Sequence, residues 1–472
     1  MFVTHPIHTE SISFITSSFD QIAIIFLLSS FLLYIKGKNI SSIIFYLLAA
    51  LSSEIAIILP FLLILYDFSF KLKLNKENVK SKIKQYIPYF VIFILFLLIR
   101  FLFIKVVGRV DLEELDWSYS LRLFNMPKVI LKYILLLFFP LNLNVKHHIS
   151  ISNSVFDFSL LIPIILLIAL VIFSVYIYKY SKIIFFSIWF FFISLLPVSN
   201  IVPIQRLMTE AYLYLSSIGF VLFLGYIIYR LQQLNIQKIN KKNLKIISLV
   251  IFIVLILGYS FVTINRNKDW KDELTLWEKT VKTNPKSAIA YNNLGLVYQK
   301  KGEYKKAGQA FLKSIELNPR RAVTYYNLGV LYGRLNIVNE SIKAYNKALE
   351  IDPNLVEAHV NLGIIYDDKA MFDKAYDEYV KALDIRPSFE AYVNFGNHFD
   401  RLKEYDKAIE NYNKAISLNP NDAVVHYNLG VVFLKKKNII LAKQEFLTAL
   451  QINPKFYLAE EKLLQLGVTE IT

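Results

Sequence analysis

The sequence predicts an all-α chain in two parts, a multi-pass helical membrane domain over residues 1–264 and then an α-solenoid of stacked helix pairs. Three observations predict it. Apolar runs long enough to cross a bilayer recur through the first part. Pro285, Pro319, Pro353, Pro387, Pro420 and Pro454 recur at spacings of 34, 34, 34, 33 and 34 in the second, the period of a helix-pair repeat. The composition also changes near Asn265, from Ile, Leu and Phe runs to a sequence rich in Ala, Asn, Tyr and Lys.

The apolar runs read, to within the usual few residues, as 14–35, 40–53, 55–69, 86–104, 159–178, 183–196, 211–229 and 246–264. The second and third meet at Ser52-Ser53-Glu54, as two short spans or one broken helix. Lysines and arginines gather at Lys36 and Lys38, from Lys71 to Lys84, at Lys179 and Lys182, and from Arg230 to Lys245. Placing these four loops in the cytoplasm follows the positive-inside rule. It puts the acidic loop holding Asp111, Glu113, Glu114 and Asp116 outside, and the solenoid is then extracytoplasmic. Residues 122–141 are apolar but carry Arg122, Lys128 and Lys132; spanning there would break the charge rule, so they read as re-entrant or interfacial.

Composition excludes several functions. The net charge is +16, but three quarters of it lies before Asn265, in loops between apolar runs, which argues against a nucleic-acid partner. Without cysteine there is no disulfide, thiolate metal site or Cys nucleophile. No nucleotide loop, zinc motif or Ser-His-Asp pattern occurs, no metal site is expected, and His147-His148 reads as an interfacial loop pair. Met1 is followed by Phe2-Val3-Thr4-His5-Pro6 with no basic stretch, so no signal peptide is expected.

The repeats have a physical logic. Gly295, Gly329, Gly363, Gly396 and Gly430 let the two helices of a repeat approach closely, and Ala307, Ser341, Ala375, Ala408 and Ala442 do the same from the second helix. Tyr298 and its equivalents fill the gap between helices, while Phe311, Tyr345, Tyr379, Tyr412 and Phe446 are expected at the interface with the next repeat. The prolines end the second helices by removing a donor. This pattern closely resembles the tetratricopeptide (TPR) family, with five repeats over 286–454, a junction and partial repeat over 265–285 containing Trp277, and a capping helix and tail over 455–472. The concave face of such arrays is lined by first helices, where Asn293, Asn327, Asn361, Asn394 and Asn428 recur. An Asn amide both donates and accepts, so this ladder could hold an extended peptide in the groove; the alternative is that each bonds to the neighbouring repeat. His359, His398 and His426 read as structural residues at packing or unrelated positions.

In the membrane half, uncommon polar residues share the outer face: His5-Pro6-Ile7-His8-Thr9-Glu10, Glu54, and the stretch from Pro197 to Glu210. Asp20 lies a turn or two inside the first span. Carboxylates at membrane depth are expensive and point to function, the alternative being helix-end groups that reach the interface.

Three blocks resemble the multi-pass O-mannosyltransferases that carry C-terminal TPR repeats, and their bacterial relatives. They are His5 to Glu10 with Asp20; Leu51-Ser-Ser-Glu54 with Leu59-Pro60 and Tyr66-Asp67; and Leu195 to Pro203 with Glu210, Tyr212 to Leu215 and Ser217 to Phe220. The resemblance implies a C-type glycosyltransferase membrane fold that moves a sugar from a polyprenyl phosphate carrier to a protein hydroxyl on the outer face, with no cofactor. It implies a carboxylate base for the hydroxyl proton, for which Glu10, Asp20, Glu54 and Glu210 are candidates. It also implies cationic or backbone donors for the departing phosphate, for which Arg206 is the candidate. The sequence departs from the family in three cations: Ala211 stands for Arg, Ser53 for Lys, and Ser18 for Arg. The family's catalytic acid is expected in an outer loop ahead of His5, so the resemblance implies a chain truncated at its N-terminus. Two readings follow, a polyprenyl-phosphate-sugar:protein glycosyltransferase whose TPR array presents the acceptor, or a non-catalytic membrane-anchored TPR scaffold.

Overall fold

The computed structural model describes residues 1–13, 18–71, 76–100, 102, 119–141, 143–145, 147, 149–154, 156–200, 207–235 and 240–468. Among the described residues every element is helical, as the sequence predicts. The chain divides into two compact units, Met1–Ala290 and Tyr291–Thr472.

The first unit opens with a 3-10 turn, Pro6–His8, and a short α1, Thr9–Ser13. There follow α2 (Ser18–Ile35), α3 (Asn39–Ser52), α4 (Leu59–Tyr66), α5 (Lys76–Ile99), α6 (Tyr119–Phe138), α7 (Phe158–Ile177), α8 (Lys182–Leu195), α9 (Leu213–Gln233), α10 (Lys241–Asp269) and α11 (Glu273–Thr283). Among the described residues, four stretches are long and apolar enough to cross a membrane: Lys82–Ile99, Phe158–Ile177, Glu210–Gln233 and Lys241–Asp269. Phe19–Ile35, Asn39–Ser52 and Lys182–Val198 are shorter apolar helices.

The run expected at 55–69 is not one regular helix. It is a 3-10 turn over Glu54–Ile58, then α4, then a π turn over Asp67–Lys71. The Ser53 hydroxyl caps the first turn by accepting from the Ile55 N–H at 3.4 Å, and Pro60 sits in the first turn of α4, where its missing donor costs nothing.

This unit exposes large apolar side chains on its outside, and its apolar core also encloses paired polar groups. Ile25, Leu32, Ile94, Ile165, Ile172, Val254 and Phe261 are exposed. Inside, the hydroxyls of Ser30 and Ser42 each donate to the other's carbonyl, at 2.6 and 2.8 Å, and Tyr89 donates to Ser42 Oγ at 2.8 Å. Such hydroxyl pairs join helices where lipid gives no hydrophobic drive for association. The same logic joins α8 to α9: Ser194 donates to Ser216 at 2.7 Å, and a Cβ on Gly219 would lie 2.6 Å from the Ser187 carbonyl. Helix α6 is not among the apolar stretches and buries a polar edge. There Asn125 exchanges two hydrogen bonds with the Ser152 backbone, and Lys128 donates to the Ser150 carbonyl at 2.8 Å.

The repeat helices pair in order: α12 (Ala288–Lys300) with α13 (Tyr304–Leu317), α14 (Ala322–Arg334) with α15 (Val338–Ile351), α16 (Val356–Asp368) with α17 (Phe372–Ile385), α18 (Phe389–Arg401) with α19 (Tyr405–Leu418), and α20 (Ala423–Lys435) with α21 (Ile439–Ile452). Helix α22, Tyr457–Gln465, follows and buries Ala459 and Leu463. The glycines are required by contact. A Cβ on any of the five would come within 2.5 to 2.7 Å of the ring of Phe311, Tyr345, Tyr379, Tyr412 or Phe446, in the same repeat. Those rings also pack at the interface with the next repeat, as expected: Phe311 clusters with Leu328 and Leu331, Tyr345 with Ala358 and Leu362, and Tyr379 lies 5.6 Å from the Phe395 ring.

Two of the histidines are structural, as expected, but their positions are related. His359 and His426 occupy the same register, four residues before the repeat glycine, and make the same contacts. Nδ1 pairs with Glu378 or Glu445, at 2.5 and 2.7 Å, and Nε2 with the carbonyl of Pro353 or Pro420.

Candidate functional site

The three sequence blocks converge, although they are far apart in the chain. The Glu10 carboxylate, buried, accepts from the Thr209 hydroxyl at 2.7 Å and from the Ala211 N–H at 3.2 Å. The Ser11 hydroxyl donates to the Ala211 carbonyl at 3.4 Å. This stitches the first block to the third. The second block joins through Ser53, whose hydroxyl donates to Asp20 at 2.5 Å.

Between the blocks lies a small cleft of about 20 Å³, with Asp20 of the first block and its neighbour Gln21, Ile55 next to the second block, and Tyr212 of the third with the adjoining Ser194 and Ala211 on its walls. Of the four candidate carboxylates, only Asp20 lines it. Its chemistry is that of a carboxylate beside hydroxyl and amide groups, suited to accepting a proton or holding a hydroxyl.

The other three candidates are engaged elsewhere. Glu10 is held by the Thr209–Ala211 backbone and side chain as described. Glu54 pairs with Arg100 at the end of α5 and is partly exposed. Glu210 is completely buried on the far side of its 3-10 turn. Its Oε1 accepts from the Asn144 N–H and pairs with His147 Nε2 at 2.8 Å, and its Oε2 faces Arg266 Nη2 at 3.5 Å. Arg266 in turn pairs with Asp269 at 3.1 Å and lies 5.9 Å over the Trp270 ring. The Asn144 side chain donates to Thr283 Oγ1 at 2.8 Å, carrying this network to α11. Glu210 is therefore a buried clamp between the loop after α6, the start of α9 and the end of α10. His147, expected as an interfacial residue, belongs to that clamp. Asn144 and Arg266 carry no local signature of the role, since their partners come from distant segments.

The histidines of the first block position it. His5 Nδ1 accepts from the Ile7 N–H at 3.2 Å, so Nε2 carries the proton donated to the Leu137 carbonyl at 2.9 Å. His8 Nε2 meets Ser217 Oγ at 2.8 Å, and its ring packs on Tyr214. Burial pushes the His5 imidazole down to about 4 and the His8 imidazole down to about 3, so both are neutral at pH 7. Tyr259 of α10 also donates to Leu137 O, at 3.3 Å, and Thr263 to Thr4 O at 2.8 Å, so the last apolar helix backs the first block.

The asparagine row is tied into the array. Asn327 donates to Asn292 of the preceding repeat at 2.9 Å, Asn361 to the Tyr345 hydroxyl at 3.2 Å, Asn428 to Asn397 at 3.4 Å, and Asn394 to its own helix at the Glu390 carbonyl, 2.8 Å. Asn293 accepts from Asn292 at 3.3 Å. The neighbouring-repeat contacts are thus real for three of the five, through side chains rather than backbone. In the four that donate, one N–H of the amide is used, and the second N–H and the oxygen are the groups that could meet a peptide backbone. Arg206, the acidic loop Asp111 to Asp116 and His148 lie outside the described residues.

Family models of the tetratricopeptide repeat match residues 286–354, 344–377 and 423–456, and one described as TPR repeat matches 396–437. A protein O-mannosyl-transferase of Caenorhabditis elegans is 27% identical over 321 residues, 65% of this chain and 43% of that protein. That share is more than the repeats can supply, so the likeness runs into the apolar half. A protein O-mannosyl-transferase of Drosophila melanogaster is 33% identical over 132 residues, 28% of this chain and 13% of that protein. The crystal structure of YrrB, a TPR protein with an unusual peptide-binding site, covers 39% of this chain and 96% of its own at 24% identity and a TM-score of 0.33. The chain spans less than half the length of these curated relatives. It is a TPR protein related to the protein O-mannosyl-transferases, as the three sequence blocks and the proline period implied.

Proposed function

We propose that this chain is a multi-pass membrane protein that transfers a sugar from a polyprenyl phosphate carrier to a polypeptide hydroxyl, with the TPR array on the extracytoplasmic side holding the acceptor. The observation that carries this reading is the convergence of three distant blocks on one cleft in which Asp20 is the carboxylate. Asp20 would take the proton from the acceptor hydroxyl as the hydroxyl oxygen attacks the sugar's anomeric carbon, whose bond to the phosphate oxygen breaks so that the carrier leaves as polyprenyl phosphate. Ser53 fixes the carboxylate by donating to one of its oxygens, leaving the other for the substrate. Glu10 and Glu210 hold the third block in place and do no proton transfer. The asparagines 293, 327, 361, 394 and 428 would meet the backbone of an extended chain, which is recognition without sequence reading.

A second reading, a non-catalytic scaffold, has one observation in its favour. Among the described residues lining the cleft none is a cation that would hold a carrier phosphate. Membranes containing the full-length protein, given labelled polyprenyl-phosphate mannose and an unfolded acceptor protein, separate the two. Label entering protein supports transfer; no label, with folding verified, leaves the scaffold. The side of the array is read independently. The sequence contains no cysteine, so Ser417→Cys and Lys38→Cys give clean labelling with an impermeant maleimide. Ser417→Cys is expected to react in intact cells and Lys38→Cys only after permeabilisation; the opposite pattern inverts the topology.

A further inference from the structure

One place in the array breaks the repeat pattern. Two residues after the repeat glycine stand Val297, Leu331, Ile365 and Val432, and in the fourth repeat His398. Its side chain is completely buried. Nδ1 pairs with Asp367 at 2.6 Å, and the other oxygen of Asp367 accepts from the Tyr379 hydroxyl at 3.1 Å. His398 Nε2 is buried with no hydrogen-bond partner. An aliphatic residue would pack here without penalty, so a histidine with an orphaned nitrogen is a local violation of the fold's own rule, and such violations gather where a protein meets a ligand.

His398 lines an open cleft of about 680 Å³ between the turn that opens α17 and the end of α18. The Phe372 and Tyr376 rings flank the imidazole, each with its centroid at 6.3 Å, and Phe399 lies at 5.4 Å. Exposed Met371 and Tyr376 form an apolar wall. The rim charges cancel, Lys374 and Lys407 against Asp373 and Glu404. The cleft therefore selects neither an anion nor a cation. In one protonation state Nε2 offers a lone pair and in the other an N–H. A hydroxyl donates and accepts, so it satisfies the nitrogen in both.

We infer that this side cleft of the third and fourth repeats binds a peptide segment that places a serine or threonine hydroxyl on His398 Nε2, with apolar neighbours against Phe372, Tyr376 and Phe399. This is a second contact for the polypeptide, apart from the asparagine row, and it rests on the reading that the array binds polypeptide.

The test uses the full-length protein in detergent and a fluorescent octapeptide, Gly-Gly-Phe-Z-Leu-Gly-Gly-Lys, with Z as Ser, Ala, Asn or Asp. The protein variant is Asp367→Leu/Tyr379→Phe/His398→Val, which copies Leu434, Phe446 and Val432 of the last repeat and so is expected to keep its melting temperature. The Ser peptide should bind the natural sequence at least tenfold tighter than the Ala peptide, and the triple variant should lose that difference. Equal binding of Ser and Ala peptides, tighter binding of Asn or Asp, or a preference that survives in the folded triple variant overturns the inference. Peptide binding that ignores Z but is lost in Asn361→Ala/Asn394→Ala leaves the polypeptide-binding array standing while the side cleft fails; no binding of any peptide removes both.

Discussion

Replacing Glu210 by Gln separates a structural clamp from a chemical role. Glutamine keeps the shape and one acceptor oxygen, so the Asn144 and His147 contacts can persist. The other oxygen becomes an NH2 facing Arg266 Nη2, now 3.5 Å from Oε2, and two donors oppose each other. Arg266 is 4% exposed and keeps only Asp269, itself 17% exposed, as a counter-charge. Removing one partner of a buried ion pair costs about 3–5 kcal/mol, and the surviving Asp269 contact puts this case near the low end. For a unit of this size about 3 kcal/mol corresponds to a fall of roughly 6–12 °C in melting temperature. The assay is thermal unfolding of the detergent-solubilised protein by circular dichroism, with Arg266→Leu added in a second variant. Because Glu210→Gln/Arg266→Leu leaves no unpaired buried charge, it should recover most of the loss, a coupling that identifies the pair. If Glu210→Gln melts within 2 °C of the parent and yet transfers no sugar, the clamp account is wrong and Glu210 acts in the chemistry.

Two other outcomes follow from single contacts. In the unfolded chain His5 and His8 bind protons below their ordinary value of 6.5, whereas in the folded chain they do so only near 4 and 3. The unfolded state therefore takes up more protons below pH 6.5, so stability is whole above that pH and falls towards pH 4, by up to about 1.4 kcal/mol per pH unit for each histidine. Melting temperatures at pH 7.5 and pH 5 check this, and a flat profile contradicts it. In the array, Gly363→Ala puts a methyl 2.6 Å from the Tyr379 ring and should cost about 1–3 kcal/mol, whereas Gly308→Ala, with nothing nearer than Leu331 at 3.6 Å, should gain up to about 1 kcal/mol. Equal effects of the two in denaturant unfolding would remove the close-approach explanation.

The array was legible because each repeat writes its own contacts at a fixed period; proline, glycine and ring recur together, and the rings pack on the next repeat as the period implied. Tyr379 covers Gly363 of its own repeat and also meets Phe395 of the following one; sequence position announced the second contact but not the first. The membrane half was legible as apolar runs, but the third run broke into three helical types because Pro60 restarts the helix after the Ser53 cap. The site was legible only as separate blocks. Glu10 and Thr209 are 199 residues apart, and nothing local distinguishes Asp20, which reaches the cleft, from Glu210, which turns away into Arg266 and His147. Burial and partner identity made that distinction. The same holds for His398, whose register suggested packing while its unpaired nitrogen suggests a ligand.

If the cleft between the three blocks performs transfer through Asp20, the reaction stands or falls with Asp20→Asn. Asparagine keeps the Ser53 hydrogen bond and removes the base. With labelled polyprenyl-phosphate mannose in reconstituted membranes, the full-length protein should lose transfer by about 10²–10⁴-fold on this change, with its melting temperature retained. Transfer that continues at the parent's rate in Asp20→Asn would contradict the account and place the chemistry outside this cleft.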